Sequence, residues 1–377
     1  MRDGWEIRPL GEVCEIYNGG TPSTNIPEYW DGGIQWITPK DMGGSKDMYV
    51  SHCERTISQE GVEHSSTKVL PERSVIVSSR APIGYVAINE VPMATNQGCK
   101  GFVLGKEIYP EFLYYFLLSS TDLLNKLGTG ATFKEVSGKK LAGIELPFPS
   151  IPEQQRIVDI LDREFAKIDA LKANAEKSLQ AAKDLFQATL KKELEPKEGW
   201  VIKPFGEICD IFDKRRKPIS KRDREPGPYP YYGASCIQDY VKEYLFDGRY
   251  LLIGEDGAKW GPGDDTAYIV EGKFWVNNHA HIVKARDGFL DDYLRYSIKQ
   301  LDLNPLVAGA IIPKLTQEKL VELEIPVPSF ELQQEIVSKL DNLNDRCNAL
   351  QKNYQKTLTL CDDLKQSLLR KAFNGEL

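Results

Sequence analysis

Pro147-Phe-Pro-Ser-Ile-Pro-Glu-Gln-Gln-Arg-Ile-Val158 returns later in the chain as Pro326-Val-Pro-Ser-Phe-Glu-Leu-Gln-Gln-Glu-Ile-Val337, an offset of 179 residues. The Pro-x-Pro element disfavours helix upstream. Ser150 and Ser329 are placed as N-caps, and Glu153 completes a capping box with Ser150. Beyond them no Gly or Pro interrupts the chain until past Leu194 and Phe373. Apolar residues recur there at spacings of three and four. In the second copy one row is Ile336, Leu343, Leu350, Thr357 and Leu364, and the other is Leu340, Cys347, Tyr354, Cys361 and Leu368. The first copy keeps that register with smaller residues: Ile157, Leu161, Ile168, Leu171, Ala175, Ser178, Ala182 and Leu185, with Phe165 standing in beside Glu164. The pattern predicts two helices of about 38 residues, roughly 57 Å each, packed in a coiled-coil seam.

A second repeat lies upstream. Gly4-Trp-Glu-Ile-Arg-Pro-Leu-Gly-Glu-Val-Cys-Glu-Ile16 matches Gly199-Trp-Val-Ile-Lys-Pro-Phe-Gly-Glu-Ile-Cys-Asp-Ile211 at an offset of 195, so the second globular segment is 16 residues shorter. The order is unit (1–149), helix (150–195), unit (196–328), helix (329–377). Arg2-Asp-Gly-Trp5 could follow the C-terminus just as Glu195-Pro-Lys-Glu-Gly199 follows the first helix. Such a cyclic, pseudo-two-fold arrangement is met most simply by antiparallel helices with one unit at each end. Inside the units, β-rich runs (Ser74–Ser79, Tyr85–Ile88, Gly101–Leu104, Tyr250–Gly254, His281–Lys284) alternate with turns. Short helices are expected at Pro110–Leu118 and Leu290–Ile298. Gly130-Ala-Thr and Gly309-Ala-Ile, then Leu141 and Leu320, repeat ahead of each long helix. All six tryptophans fall in the units. The expected class is α+β, with two β-rich globular domains separated by two long antiparallel helices.

Bulk properties narrow the function. A 377-residue chain with 41% hydrophobic residues buries full cores. The net charge of −7 supplies no global basic field, and the helices are near neutral, so a DNA-binding surface must be local. Seven cysteines without a Cys-x-x-Cys pair suit reduced thiols, and the N-terminus lacks an apolar signal core, so a cytoplasmic protein is expected. No run of about 18 apolar residues predicts a membrane span.

Catalytic signatures are missing: no phosphate loop, dinucleotide turn, Asn-Pro-Pro-Tyr-like adenine site or Gly-x-Ser-x-Gly elbow occurs. A metal-dependent nuclease using Asp264, Asp265, Glu271 and Lys273 is the enzymatic alternative, but these residues sit on turn sequences without a counterpart in the first unit. His279 and His281 would share one strand face, yet no further ligand stands at a recognised interval. A coiled-coil adaptor binding only proteins is the other alternative.

The positive signal is Lys214-Arg-Arg-Lys-Pro-Ile-Ser-Lys-Arg-Asp-Arg224, in which seven of eleven residues are cationic within an acidic protein. Arginine forks suit phosphates and guanine edges, and lysine binding releases counterions. Lys214, Arg215, Arg216, Lys217, Lys221, Arg222 and Arg224 are therefore candidate DNA contacts. The matching stretch of the first unit, Asn18-Gly-Gly-Thr-Pro-Ser-Thr-Asn25, is neutral and offers short hydrogen-bonding groups. Thr21 and Ser23 are its candidates, joined by Lys40, Arg80 and Lys259. Asn96, Gln97, Lys100, Lys134, Lys139, Asn278 and His279 are weaker.

These motifs together resemble the specificity (S) subunit of type I restriction–modification systems. The resemblance rests on the helix entries and unit starts quoted above. To these are added Gly20-Thr-Pro-Ser23, Trp36-Ile-Thr-Pro-Lys-Asp41, Ser79-Arg-Ala-Pro-Ile-Gly84, Gly254-Glu-Asp-Gly-Ala258 and Lys371-Ala-Phe-Asn-Gly-Glu-Leu377. It covers essentially the whole chain in order. The resemblance implies two target recognition domains, each reading half of a split double-stranded DNA sequence, with the helices setting the gap. It further implies two docked methyltransferase (M) subunits that use S-adenosylmethionine, and restriction (R) subunits that use ATP and Mg. By the same resemblance the chain is non-catalytic and binds no cofactor itself. The first unit departs from its partner in lacking a basic loop.

Overall fold

The computed structural model describes residues 4–44, 47–80, 82–130, 134–307, 309 and 313–377. It divides into two compact units, residues 1–174 with 357–377, and residues 175–356.

In the first unit ten strands are found among the described residues: β1 (Glu6–Pro9), β2 (Cys14–Asn18), β3 (Trp30–Ile37), β4 (Tyr49–Val50), β5 (Thr56–Ile57), β6 (Val75–Ser78), β7 (Val86–Asn89), β8 (Met93–Thr95), β9 (Cys99–Leu104) and β10 (Glu145–Phe148). They form a five-stranded sheet ordered β2-β9-β6-β7-β4, a three-stranded sheet ordered β5-β3-β8, and a β1-β10 pair. Strands β6 and β7 are buried at every residue, which suits a sheet covered on both faces. One cover is the helix Pro110–Ser119, which buries Phe112, Leu113, Phe116 and Leu117. Against it pack Ile157 and Leu161 of the first long helix and Leu369, Ala372 and Phe373 of the second. The Phe373 ring lies 5.2 Å from Phe112 and 5.4 Å from Phe116.

The second unit has β11 (Val201–Pro204), β12 (Cys209–Ile211), β13 (Pro226–Tyr232), β14 (Ile237–Val241), β15 (Phe246–Gly254), β16 (Ala267–Val276), β17 (Ala280–Ala285) and β18 (Glu324–Val327). Its main sheet is a single one, β12-β17-β15-β16-β13-β14, beside a β11-β18 pair. The helix Asp291–Gln300 takes the place of Pro110–Ser119.

Strand register aligns the repeats residue by residue. Ile37↔Thr95 corresponds to Tyr232↔Val276, and Leu70↔Met93 to Phe246↔Phe274. Cys14↔Leu104 corresponds to Cys209↔Ala285. One continuous strand, β16, thus pairs with β15 as β7 does with β6, and with β13 as β8 does with β3. The first unit breaks this strand at Pro92, which cannot donate to a ladder, and its sheet splits in two. Gly4 and Gly199 open the two units with the same φ of 85°, a conformation that favours glycine.

The long helices run Ile151–Leu194 and Phe330–Phe373. In the first unit Asp169 meets Lys365 (2.5 Å) and Lys172 meets Asp362 (2.7 Å), so the two segments run antiparallel. In the second, Glu193 meets Lys339 (2.6 Å). Leu161, Ile168, Ala175 and Ala182 are buried, as are Leu340, Cys347 and Cys361, with Tyr354 half-buried between. That is one heptad row of the expected seam. The other row is corrected beyond its first members: Ile157 and Ile336 are buried, but Leu171 (56% exposed), Leu185 (55%), Leu350 (43%) and Leu364 (48%) face solvent. Two helices cover a single stripe of each other, and a second row needs further partners. Phe165, expected to stand in for Glu164, packs its ring 5.4 Å from Tyr115 of the helix Pro110–Ser119, with the Lys365 ammonium of the second long helix 4.8 Å over it.

Of the motifs ahead of the helices, Ala131, Thr132, Ala310 and Ile311 lie outside the described residues, as do Arg2 and Asp3 of the N-terminal connection and Ala81 of the Ser79–Gly84 motif.

Candidate nucleic-acid interface

Each unit places a loop after its first sheet strand, β2 or β12, against a turn ahead of β9 or β17. In the second unit this loop begins with a 3₁₀ turn at Asp213–Arg215 and continues through a second at Lys221–Asp223. It is fastened at several points. Trp275 Nε1 donates to the Lys217 carbonyl (2.6 Å), and Ile219 N donates to the Tyr231 hydroxyl (3.0 Å). The Arg224 guanidinium sits 4.2 Å over the Tyr231 ring, donates to the Ile219 carbonyl (3.1 Å) and pairs with Asp239 (3.2 Å). The backbone N–H of Tyr240, and then Arg224, hold the Asp239 carboxyl below the usual carboxylate range.

Arg216 turns inward. It pairs with Asp213 (3.3 Å) and Glu255 and donates to the Ala280 carbonyl (3.0 Å), with 15% of its side chain exposed. Two of the seven expected cations therefore fasten the loop, whereas Lys214, Arg215, Lys217, Lys221 and Arg222 are exposed. Arg215 is steadied 4.5 Å over the Phe246 ring.

The first unit holds its loop with neutral groups. Trp36 Nε1 donates to the Gly20 carbonyl (3.0 Å) and Trp30 Nε1 to the Ser23 carbonyl (3.1 Å). Thr21 donates to Gln97 Oε1. Gly19 lies so close to the turn that a Cβ would fall 1.8 Å from the Asn96 carbonyl oxygen, so only glycine lets the loop lie flat there. Thr21 and Ser23 are both exposed.

Behind each loop lies a charged node at equivalent positions. In the first unit Glu135 accepts from Arg80 (2.8 Å) and from the buried Lys100 (3.1 Å). Burial alone would raise the Glu135 carboxyl, but these two hydrogen bonds outweigh it and lower it. In the second unit His281 takes the place of Lys100, Asp213 that of Asn18, Glu255 that of Ser79 and Lys314 that of Glu135. His281 Nδ1 meets Asp213 (2.5 Å), its Nε2 donates to the Leu315 carbonyl (2.8 Å), and Lys314 meets Glu255 (2.6 Å).

Among the described residues, Asp213, Glu255 and His281 form the one group whose donor atoms converge as a metal site would require. Arg216 and Lys314 already neutralise those carboxylates, and both imidazole nitrogens are engaged, so the donor set does not fit a metal. His279 pairs with a different carboxylate, Asp256. The nuclease residues do not converge. Asp264 accepts from Gly261 N (2.8 Å), Asp265 pairs with Lys299, and the Lys273 ammonium lies 4.7 Å over Tyr244.

Lys40 is exposed and pairs with Glu54 (2.7 Å), Arg80 is 44% exposed, and Lys259 is exposed. Sequence reasoning missed the tryptophan N–H groups that fasten the loops; their clustering in the units was the available signal. It also gave no role to the first glutamine of each helix entry. Gln154, fully buried, bridges Tyr109 N (2.8 Å) to the Glu107 (3.0 Å) and Pro149 (2.9 Å) carbonyls. Gln333 does the same for Leu290 N, Gly288 O and Pro328 O, each at 3.2 Å.

Among solved structures, a chain described under complex assembly and conformational transition of the type I R-M system has a TM-score of 0.81 at 19% identity, covering 100% of this chain and 99% of that one. The HsdS subunit from Thermoanaerobacter tengcongensis gives 0.60 at 20% identity, covering 100% and 98%. At these identities the likeness is one of fold. By sequence, the EcoprrI type I restriction enzyme specificity subunit of Escherichia coli is 31% identical over 93% of this chain and 90% of its own length. The MjaIX specificity subunit of Methanocaldococcus jannaschii is 29% identical over 99% and 93%. Residues 2–181 and again 197–360 match the type I restriction modification DNA specificity domain, and the chain belongs to that family of DNA sequence-specificity subunits.

Proposed function

We propose that each unit reads one half of a bipartite double-stranded DNA target within a type I restriction–modification complex, and that the chain contributes recognition without catalysis. The observation that carries this is the pair of equivalent loops, fastened to the same frame but displaying different chemistry. Five exposed cations in the second unit's loop suit phosphate and guanine contacts, and the exposed Lys259 is proposed as a further one. Thr21, Ser23, Lys40 and Arg80 are the contacts proposed for the first.

Methyltransferase subunits would dock on the outward helix faces. The exposed leucines support this, since Leu171 and Leu364 in the first unit occupy the repeat positions of Leu350 and Leu185 in the second. S-adenosylmethionine would belong to those partners, and ATP and Mg to restriction subunits, in the cytoplasm. No described helix is long and apolar enough to cross a membrane. The test is a genome-wide map of methylated adenines with and without this gene. A split motif that vanishes on deletion is expected; an unchanged map in cells shown to make the complex would overturn the reading.

A further inference from the structure

The turn on which each loop rests is built alike in both units. Asn96 Oδ1 accepts from Gly98 N (2.8 Å), and Asn277 Oδ1 accepts from His279 N (2.8 Å). The two asparagines are anchored alike, Asn96 N to the Ile37 carbonyl (3.0 Å) and Asn277 N to the Tyr232 carbonyl (3.1 Å). Asn277 is 3% exposed, so the turn belongs to the folded frame. Its apex residue is exposed in both cases, and in both it is a carboxamide: Gln97 in the first unit, Asn278 in the second. Each apex touches the loop in front of it. Thr21 donates to Gln97 Oε1, and Arg216 Nη1 approaches the Asn278 carbonyl (3.4 Å). Sequence divergence elsewhere in the loops makes this shared chemistry the more telling.

A carboxamide carries a donor and an acceptor at the spacing of the adenine N7 and N6 edge, and a bidentate pair of that kind discriminates against other bases. We infer that Gln97 and Asn278 are equivalent base-reading residues, each presenting its amide to an adenine in its own half of the DNA target. This rests on the bipartite reading proposed above. Thr21 donates to one lone pair of Gln97 Oε1 and leaves the other, with Nε2, for the adenine N6 and N7, so it acts as a positioning residue that fixes the order of oxygen and nitrogen along the amide.

The experiment uses this chain assembled with its methyltransferase partner, and duplexes in which every base pair of the mapped target is changed singly. The unaltered complex should discriminate roughly 5- to 150-fold at each pair that a carboxamide reads. Gln97→Ala should level the discrimination at one A·T pair of one half-site, and Asn278→Ala at one pair of the other, with all remaining positions unchanged. The isosteric Asn278→Asp, which can accept but not donate, should move the preference at its position toward C·G. Two results would overturn the assignment: discrimination profiles equal to that of the unaltered complex, or a uniform loss of affinity on every duplex, which marks a phosphate contact. An unaltered complex with no split-site preference would instead remove the bipartite reading, and this assignment with it.

Discussion

Where the first unit places Thr21, the second places Arg216. Thr21 makes one neutral hydrogen bond to an exposed amide, whereas Arg216 enters a node with two buried carboxylates and a fully buried histidine. The strands around them are in equivalent register, and both turns are capped by the same asparagine chemistry. Frame and fastening are therefore separable: both loops are tied down by tryptophan N–H groups, and the same frame adds either neutral hydroxyl and amide contacts or ion pairs to them.

The largest expected difference follows from that contrast. Arg216→Ala removes the cation shared by Asp213 and Glu255, with Lys314 staying on Glu255 and His281 on Asp213, and should lower the stability of the second unit by about 2–3 kcal/mol. Thr21→Ala should cost the first unit about 1 kcal/mol or less. Chemical denaturation of the two variants checks this, and equal losses would erase the distinction.

Removing displayed rather than fastening charge should spare the fold and act on binding. Arg215→Ala with Lys217→Ala should reduce the slope of log affinity against log salt by about 2, and Ser23→Ala should leave it unchanged. A salt titration of DNA binding by the assembled complex sharpens the comparison, because unequal slopes require the two loops to meet DNA by different chemistry.

The smallest effect concerns acid. Glu135 is lowered in the folded state, so its contribution is fully present above the ordinary glutamate range near about 4.3 and is lost as pH falls through its lower folded value. Lys314 occupies the same position in the second unit. Glu135→Gln should flatten the acid limb of the first unit's stability curve only, as followed by thermal melts between pH 3 and about 6.

Much of the architecture was legible because repetition states it twice. The helix entries, unit starts and most strands follow from periodicity and from proline and glycine punctuation. The half-open seam was not legible, since a heptad pattern states which residues are apolar but not how many partners cover them; Leu171 and Leu350 look the same as Leu161 and Leu340 in a sequence. The loops were found by charge density and short polar groups, but density cannot separate Arg216 and Arg224, which fasten, from Arg215 and Arg222, which are displayed. That division depends on acidic residues distant in sequence, Glu255 and Asp239. Gln154 and Gln333 show the converse. Their repetition was plain, but the backbone groups they satisfy lie some 45 residues upstream and across a helix entry.

The first unit borrows its last wall from the end of the chain: Leu369, Ala372 and Phe373 cover Phe112 and Phe116, and Arg156 donates to the Leu377 carbonyl (2.8 Å). On the ribosome, residues 175–356 are complete before that wall is made. The segment translated first therefore matures last, and at about 5–20 residues per second it waits roughly 10–40 s with an apolar face uncovered. During that interval its survival depends on whatever shields the face, and a truncation of the last few residues would be felt most by the part of the protein synthesised earliest.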